Sequence, residues 1–491
     1  MTNVECLERI NAMQFRWFLR LGTIAALCAA LVIGVRVIRE RAIAHLNATP
    51  RITMTTVTVD SSGPTIGELC DHYIGLSFEN GGLNTGAFDD VGSVVPLLKN
   101  LGSSIMRIGG LSADYASAGV SAHQLAGLAR LAKASGWRVI YTENLGYFDS
   151  TTVTADAEEI SAALGSSLLT LACGNEPDHY HLGLRPRSYT ESDFLSEEAN
   201  CLSAIRAGAA KTALEGPDFA SPNWLAKWAD QEPGNVKWLG QHYYPLGCYR
   251  TTWAETHGQL VNALLSPGLA QYEAKIFDKV AADARIAHAH LLIDETNSVC
   301  NGGIKGVSNT YATALWVVDF LLTGAEHGVD GMNFHGGLDT GCLGYSPLCQ
   351  TKDQIGTDSY TPQPIYYGMV FTRLLGPGHL LPVTVSKANR NENIAAFALK
   401  PLSGGGLRMM VENLSGQQTT VALRVSGDPG NASVLHLTGP ALFATSGVKI
   451  QGATVARDGS FTPGKADTVT CASGSCVLTL KPYTASLVTL P

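Results

Sequence analysis

A chain of 491 residues, 45% hydrophobic and 15% charged, can bury a large core and has room for more than one domain. That composition excludes fibrous and disordered classes. With a formal net charge of −8 and no clustered lysines or arginines beyond residue 50, the chain offers no nucleic-acid surface and no long basic groove for a sulfated polymer.

Residues 1–50 read as a targeting segment. Arg16 and Arg20 precede the apolar stretch 21–35, and Arg36, Arg39 and Arg41 follow it. The stretch is long for a signal core and short for a membrane span, so a signal peptide or a signal anchor is expected, with the remainder exported. Membrane association is then expected only through this segment, if it stays uncleaved. The cysteines suit an exported chain: Cys471 and Cys476 have the spacing of a hairpin disulfide, and Cys342 with Cys349 can close a loop. The partners of Cys173, Cys201, Cys248 and Cys300 stay open, and Cys70 has no obvious one. No Cys/His spacing matches a zinc site, so neither a metal nor a cofactor is expected. Asn47, Asn413 and Asn431 open glycosylation sequons.

Residues 51–70 contain Ile52–Asp60, which alternates β-branched side chains and is expected to join a C-terminal sheet. From 71 to 377, eight short apolar runs alternate with helical patterns: Tyr73–Glu79, Ser104–Gly110, Arg138–Leu145, Leu168–Glu176, Thr212–Asp218, Trp238–Pro245, Leu291–Asn297 and Gly328–Gly337. Eight such units predict a closed (β/α)8 barrel, an α/β fold. Val91–Asn100, Ala122–Ser135 and Ser192–Ala210 carry apolar spacings of three and four. Asn309–Thr323 is apolar nearly all round, as a helix packed between barrel and neighbouring domain would be. Residues 378–491 change character: short alternating runs broken by Gly, Ser, Asp and Pro predict an antiparallel β-sandwich.

All barrel strands run parallel, so their C-terminal ends share one rim. The fourth run ends in Asn175-Glu176-Pro177 and the seventh in Asp294-Glu295, which places two glutamates across the mouth. Hydrolysis of a glycoside with retention needs two carboxyls about 5–5.5 Å apart, one protonated and one ionised. The anion on Glu295 is expected to raise the pKa of Glu176 and keep it a proton donor. Asp294 is expected to point away from the site by strand alternation and to serve packing or a salt bridge. Arg107 either supports the nucleophile from below or pairs elsewhere in the barrel. His335 is placed toward the site; His242 and Glu143 are weaker candidates, and Tyr366 and Tyr367 are read as packing against the sandwich.

Five ordered motifs then add a likeness. SIMRIGG at 104–110, GNEP at 174–177, QHYYP at 241–245, ETNSVCNGG at 295–303 and GVSNTYATALW at 306–316 together resemble glycoside hydrolase family 79, the β-glucuronidases and heparanases of clan A. The resemblance implies Glu176 as acid/base, Glu295 as nucleophile and Asn175 as a ligand of the sugar 2-hydroxyl. It implies Tyr243 beside the nucleophile, with Tyr244 one residue away as the alternative, and Glu79 on the distal hydroxyls. It also implies a turn at Cys300, Asn301 and Gly302 around a uronate carboxylate. Two positions depart from the family: Cys300 stands where a tyrosine is common, and Leu111 where a polar residue is. The expected activity is exo-acting, retaining hydrolysis of a terminal β-glucuronate, with 4-O-methylation open, on a carbohydrate partner and without nucleic acid. The alternatives are a heparanase-like endo-enzyme, another clan A glycosidase, or a non-catalytic carbohydrate-binding protein.

Overall fold

The computed structural model describes residues 54–491 apart from 87, 89–91, 116–119, 233, 249–255, 343 and 428–429. The expected targeting segment and the Asn47 sequon lie outside these residues. Eight parallel strands close into a barrel: β1 (Ile74–Glu79), β2 (Ile105–Gly109), β3 (Arg138–Glu143), β4 (Leu168–Cys173), β5 (Ala213–Phe219), β6 (Trp238–Tyr243), β7 (His290–Thr296) and β8 (Gly331–His335), with β8 beside β1. Their near-continuous apolar sequence follows from burial on both faces. Ile105, Ile140, Leu169, Trp238 and Leu292 form a separate apolar cluster, distinct from the larger core beneath the outer helices. Alternation along β2 puts Arg107 on the same side as Ile105, one layer nearer the rim.

Two bulges break that alternation where chemistry is needed. Between β6 and β7, Gly240 pairs with Leu292 but His242 pairs with Glu295, so β7 carries one extra residue there. Between β5 and β6, Pro217 pairs with Gly240 and Phe219 with Gln241, which makes Asp218 the extra residue, at φ 54°. Gly240 lies between the two: a Cβ there would come within 2.3 Å of Asp218 Oδ1 and 3.0 Å of Asp294 Cγ. A side chain at this position would displace the acids.

The C-terminal strands form one twelve-stranded sheet that curls over a second core containing Val57, Met409, Leu423, Leu478 and Val488. Thr55–Val59 enters this sheet, parallel to Thr419–Arg424 and antiparallel to Val383–Ser386. Gly67–Leu69 pairs with Gly378–Leu381. Asn413 cannot serve as a glycan acceptor in this fold. Its amide is buried and donates to the carbonyls of Gln417 at 2.7 Å and Lys481 at 3.0 Å, whereas Asn431 is exposed.

The helix Tyr311–Glu326 is buried on almost every side. Thr310 gives its first turn no side-chain cap; instead Tyr311 N–H and Ala312 N–H donate to Ala444 O and Leu442 O of the sheet domain. The Tyr311 hydroxyl donates to Leu437 O at 2.9 Å and Tyr483 O at 2.8 Å. Gly368 of the helix Pro364–Arg373 lets that helix approach closely, since a Cβ would sit 2.2 Å from Ala314 O. Tyr367 meets the sheet domain by accepting from Val455 N–H. The Tyr366 hydroxyl donates to Leu97 O at 2.7 Å, on a barrel helix, and accepts from Asn100, whose amide also donates to Gly459 O of the C-terminal region.

Tyr311→Phe removes the one hydroxyl serving two buried carbonyls. It is expected to cost about 1–3 kcal/mol, read as a lower urea midpoint at unchanged slope.

Candidate active site

Residues at or just past the C-terminal ends of β1, β2, β4, β6, β7 and β8 line a cavity of ≈ 980 Å³. Of the residues singled out from sequence, Glu79, Asn175, Glu176, Glu295, Cys300, Asn301, Gly302 and His335 all line it. Tyr243 does not. Its ring packs against Phe277 and Phe320 outside the barrel, with centroids 5.8 and 6.1 Å away. Tyr244 takes the place beside Glu295 instead: its hydroxyl donates to Glu295 Oε1 at 2.8 Å. Alternation is the reason, because His242 faces inward, Tyr243 outward and Tyr244 inward again.

Arg107 organises the floor. Its fully buried guanidinium places Nη1 2.8 Å from Glu295 Oε2, Nε 2.8 Å from Asp294 Oδ2 and Nη2 3.1 Å from Asp218 Oδ2. Nη2 also donates to Asn175 Oδ1 at 3.0 Å, which leaves the Asn175 amine as the group free to meet a sugar hydroxyl. Burial opposes the charge on Arg107, but Asp294, Asp218 and Glu295 hold it protonated. The expectation that Asp294 points away is corrected: the bulge in β7 turns both consecutive acids onto one guanidinium. The two readings of Arg107 hold together, since it supports Glu295 and pairs elsewhere in the floor. Burial, and then the charge of Asp294, push Asp218 up to about 7.

Glu176 ends the turn after β4 in a left-handed conformation, φ 50° and ψ 51°, as the residue before the 3-10 helix Pro177–Leu182. Its N–H donates to Asp218 O at 3.0 Å. Asp114 accepts from Asn175 N–H at 2.9 Å and from Tyr180 hydroxyl at 2.7 Å, fixing the same turn from behind. One carboxylate oxygen each of Glu176 and Glu295 and a ring nitrogen of His242 lie within 4.8 Å of one another. These donor types resemble a metal set. Arg107 already balances the buried acids beside them, and we identify none of the three as a ligand.

The protonation state of Glu176 runs against the sequence expectation. Burial would raise its pKa, but His179 and His242 hold it below the usual carboxylate range. His242 Nδ1 lies 3.0 Å from Glu176 Oε1, and His179 Nδ1 3.8 Å from Oε2. His242 is itself held protonated: burial opposes its charge, and Glu295 and Asp294 outweigh that opposition. These surroundings favour the proton on His242, one hydrogen bond from the Glu176 carboxylate.

On the far side, His335 bridges two acids, with Nε2 3.5 Å from Glu79 Oε1 and Nδ1 3.6 Å from Glu295 Oε2. Burial opposes ionisation of Glu79, but His335 and Ser112 bring it down to about 2. Ser112 N–H donates to Glu79 at 2.8 Å. Gly110, at φ 70°, makes room for that carboxylate, which would lie 2.6 Å from a Cβ. Leu111 lines the cavity and is 58% exposed. Glu143 stays out of the cavity lining; it is buried, and burial pushes its pKa well up.

Past β7, Cys300 is joined to Cys248, and its N–H donates to Gly247 O. Neither its sulfur nor its amide is free to bind a ligand, which corrects the direct contact expected of it. Asn301, Gly302 and Gly303 follow at φ 55°, 84° and 78°. Among the described residues, the N–H groups of Asn301 and Gly302 meet no protein acceptor. Three further pairs, Cys173–Cys201, Cys342–Cys349 and Cys471–Cys476, are also disulfides, and Cys70 is free.

A closed eight-stranded barrel with paired glutamates at the rim, continuous with a curled sheet, is a fold shared with the solved glycoside hydrolases that the chain resembles. Part of the chain is similar in sequence to two β-glucuronidases. It is 28% identical over 236 residues to a β-glucuronidase of Neurospora crassa (43% of this chain, 41% of that one). It is 26% identical over 286 residues to a β-glucuronidase of Aspergillus niger (54% and 51%). The matched region thus spans about half the length of these curated relatives or less. No protein-family model matches. The structure resembles that of a 4-O-α-L-rhamnosyl-β-D-glucuronidase from Fusarium oxysporum at TM-score 0.72, 23% identity, covering 89% of this chain and 100% of that one. A family 51 α-L-arabinofuranosidase from Bifidobacterium longum shares the fold at TM-score 0.66 and 13% identity, covering 89% and 99%.

Tyr244→Phe removes one hydrogen bond to a carboxylate, a loss of about 1.5–3 kcal/mol. It is expected to lower kcat by about ten- to a hundredfold, while Tyr243→Phe leaves kcat near wild type; steady-state kinetics on both decide the assignment. The raised His242 pKa sets a second expectation. The protonated Glu176–His242 pair persists above the ordinary histidine value of about 6.5 and is lost as pH rises through the raised one. In His242→Gln the carboxyl alone must hold the proton, so the alkaline limb of kcat/KM moves to lower pH.

Proposed function

We propose that the protein is an exported, retaining exo-β-glucuronidase that removes a terminal β-linked glucuronate from a glycan or glycoside. The observation that carries this reading is the close approach of Glu176 and Glu295 in a cavity that also presents the free Asn301 and Gly302 amides. An oxygen-to-oxygen distance within 4.8 Å fits the close pair of a retaining enzyme better than the wider spacing of an inverting one. Consecutive amides in left-handed conformations form a concave anion site. The cavity lining includes no Lys or Arg among the described residues, so sulfate recognition by an endo-acting enzyme has no support there.

In this reading Arg107 and Tyr244 hold the two oxygens of Glu295 and aim the carboxylate at the anomeric carbon. The proton stored on His242 passes to Glu176 and from there to the departing glycosidic oxygen. Asn175 donates to the 2-hydroxyl as positive charge develops on the ring. Once the sugar esterifies Glu295, Glu176 takes a proton from water, which hydrolyses the ester. Glu79, ionised and braced by Ser112, accepts from the hydroxyls at the distal end. The cavity leaves space beyond one sugar ring, and the Fusarium neighbour is by its name a 4-O-rhamnosyl-glucuronidase; 4-O-substituted glucuronate is accordingly within the proposed substrate class. Four disulfides are consistent with an oxidising, extracellular setting, and any membrane contact is assigned to the N-terminal segment.

Aryl β-glucuronide, β-glucoside and β-xyloside assayed side by side test the substrate: the uronide is expected to turn over best, and faster hydrolysis of a neutral sugar overturns the claim. The same panel run on Glu176→Gln and Glu295→Gln separates the roles. Glu176→Gln should keep substantial activity only on substrates with good leaving groups, which need no proton, and Glu295→Gln should lose activity on all of them.

A further inference from the structure

The Cys248–Cys300 disulfide joins the loop after β6 to the loop after β7, and both cysteines line the cavity. It sits between two working parts of the site. On one side Gly247 N–H donates to Tyr244 O, the residue that holds Glu295; on the other, Asn301 follows Cys300 directly. Leu246 N–H to Ser298 O and Cys300 N–H to Gly247 O stitch the two loops on either side of the bridge.

The segment it restrains is costly to order. Asn301, Gly302 and Gly303 are three consecutive residues at positive φ, and among the described residues two of their amides have no protein partner. Glycine loses more conformational freedom than any other residue on being fixed, and Asn301 occupies a region that side chains disfavour. At the far end the segment is held by Tyr345 N–H on Gly302 O at 3.1 Å and by Gly303 N–H on Cys300 O at 3.2 Å. A cross-link at Cys300 supplies the near end.

We propose that the Cys248–Cys300 disulfide is a specificity-determining clasp, which pre-orders the Asn301 and Gly302 amides to receive the substrate carboxylate. This rests on the glucuronidase reading. Without the bridge, each binding event must also order the loop, which weakens binding without altering the chemistry at the anomeric carbon. The carboxylate contact is made in both ground and transition states, so its loss falls on KM. A neutral glycoside makes no such contact, so the effect is selective.

The experiment measures kcat and KM on aryl β-glucuronide and β-glucoside for the wild type, the double variant Cys248→Ser/Cys300→Ser, and Cys471→Ser/Cys476→Ser as a remote-disulfide control. The clasp predicts a KM for the glucuronide raised about tenfold or more in Cys248→Ser/Cys300→Ser, with kcat within about threefold. The glucuronide-to-glucoside ratio of kcat/KM falls by a like factor, and the control keeps the wild-type ratio. An unchanged ratio in a folded Cys248→Ser/Cys300→Ser overturns the clasp and leaves the glucuronidase reading standing. A wild type that does not prefer the glucuronide overturns that reading, and the clasp with it. If the double variant fails to fold, the same ratio is followed in wild type during graded phosphine reduction, with differential alkylation reporting each cysteine pair. A ratio that falls in step with opening of 248–300 supports the clasp, and one that does not move overturns it.

Discussion

The Arg107 guanidinium, fully buried on β2, meets Glu295, Asp294 and Asp218 at 2.8, 2.8 and 3.1 Å and hydrogen-bonds Asn175 at 3.0 Å. Removing such charges from water costs several kcal/mol per ion, so the arrangement persists only if each charge finds its partners. Here those partners come from four strands or strand ends: β2, β4, β5 and β7. The same contacts that neutralise the floor fix where Glu295 and Asn175 stand. Folding and active-site geometry are thus satisfied by one set of interactions, and the acids cannot move without leaving a buried charge unpaired.

Proton supply is built from the same network. Glu295 and Asp294 hold His242 charged, and His179 and His242 hold Glu176 ionised. A two-carboxylate scheme expects the free acid to store its own proton on Glu176. In this barrel a histidine does so, at 3.0 Å. The physical cause is that His242 lies between Glu176 and Glu295 and responds to both.

Much of this was legible in the sequence. The eight runs match the eight barrel strands to within a residue or a few at each end, because parallel strands buried on both faces leave an unbroken apolar signature. Glu176, Glu295, Glu79 and the 301–302 turn sit where strand ends and motifs put them, around one cavity. The Asp294 expectation fails at a departure from period two. Asp294 and Asp218 face the floor because of bulges, and bulges depend on the neighbouring strand's register, which no single run encodes. Tyr244 was recoverable, since His242 and Tyr244 share parity; the motif alone left the register open. Cys300 looked like a contact residue because its partner lies 52 positions away, on a different loop.

The central claim is that Glu295, held by Arg107 and Tyr244, forms a covalent bond to a glucuronyl group that Glu176 helps to break. Incubation with a 2-deoxy-2-fluoro-β-glucuronyl fluoride, followed by intact mass and peptide mapping, tests it most directly, because the fluorine slows hydrolysis of the intermediate. The account predicts stoichiometric labelling at Glu295, with activity lost in parallel. Label on another carboxylate, or turnover of ordinary β-glucuronides with no labelling at all, would contradict it.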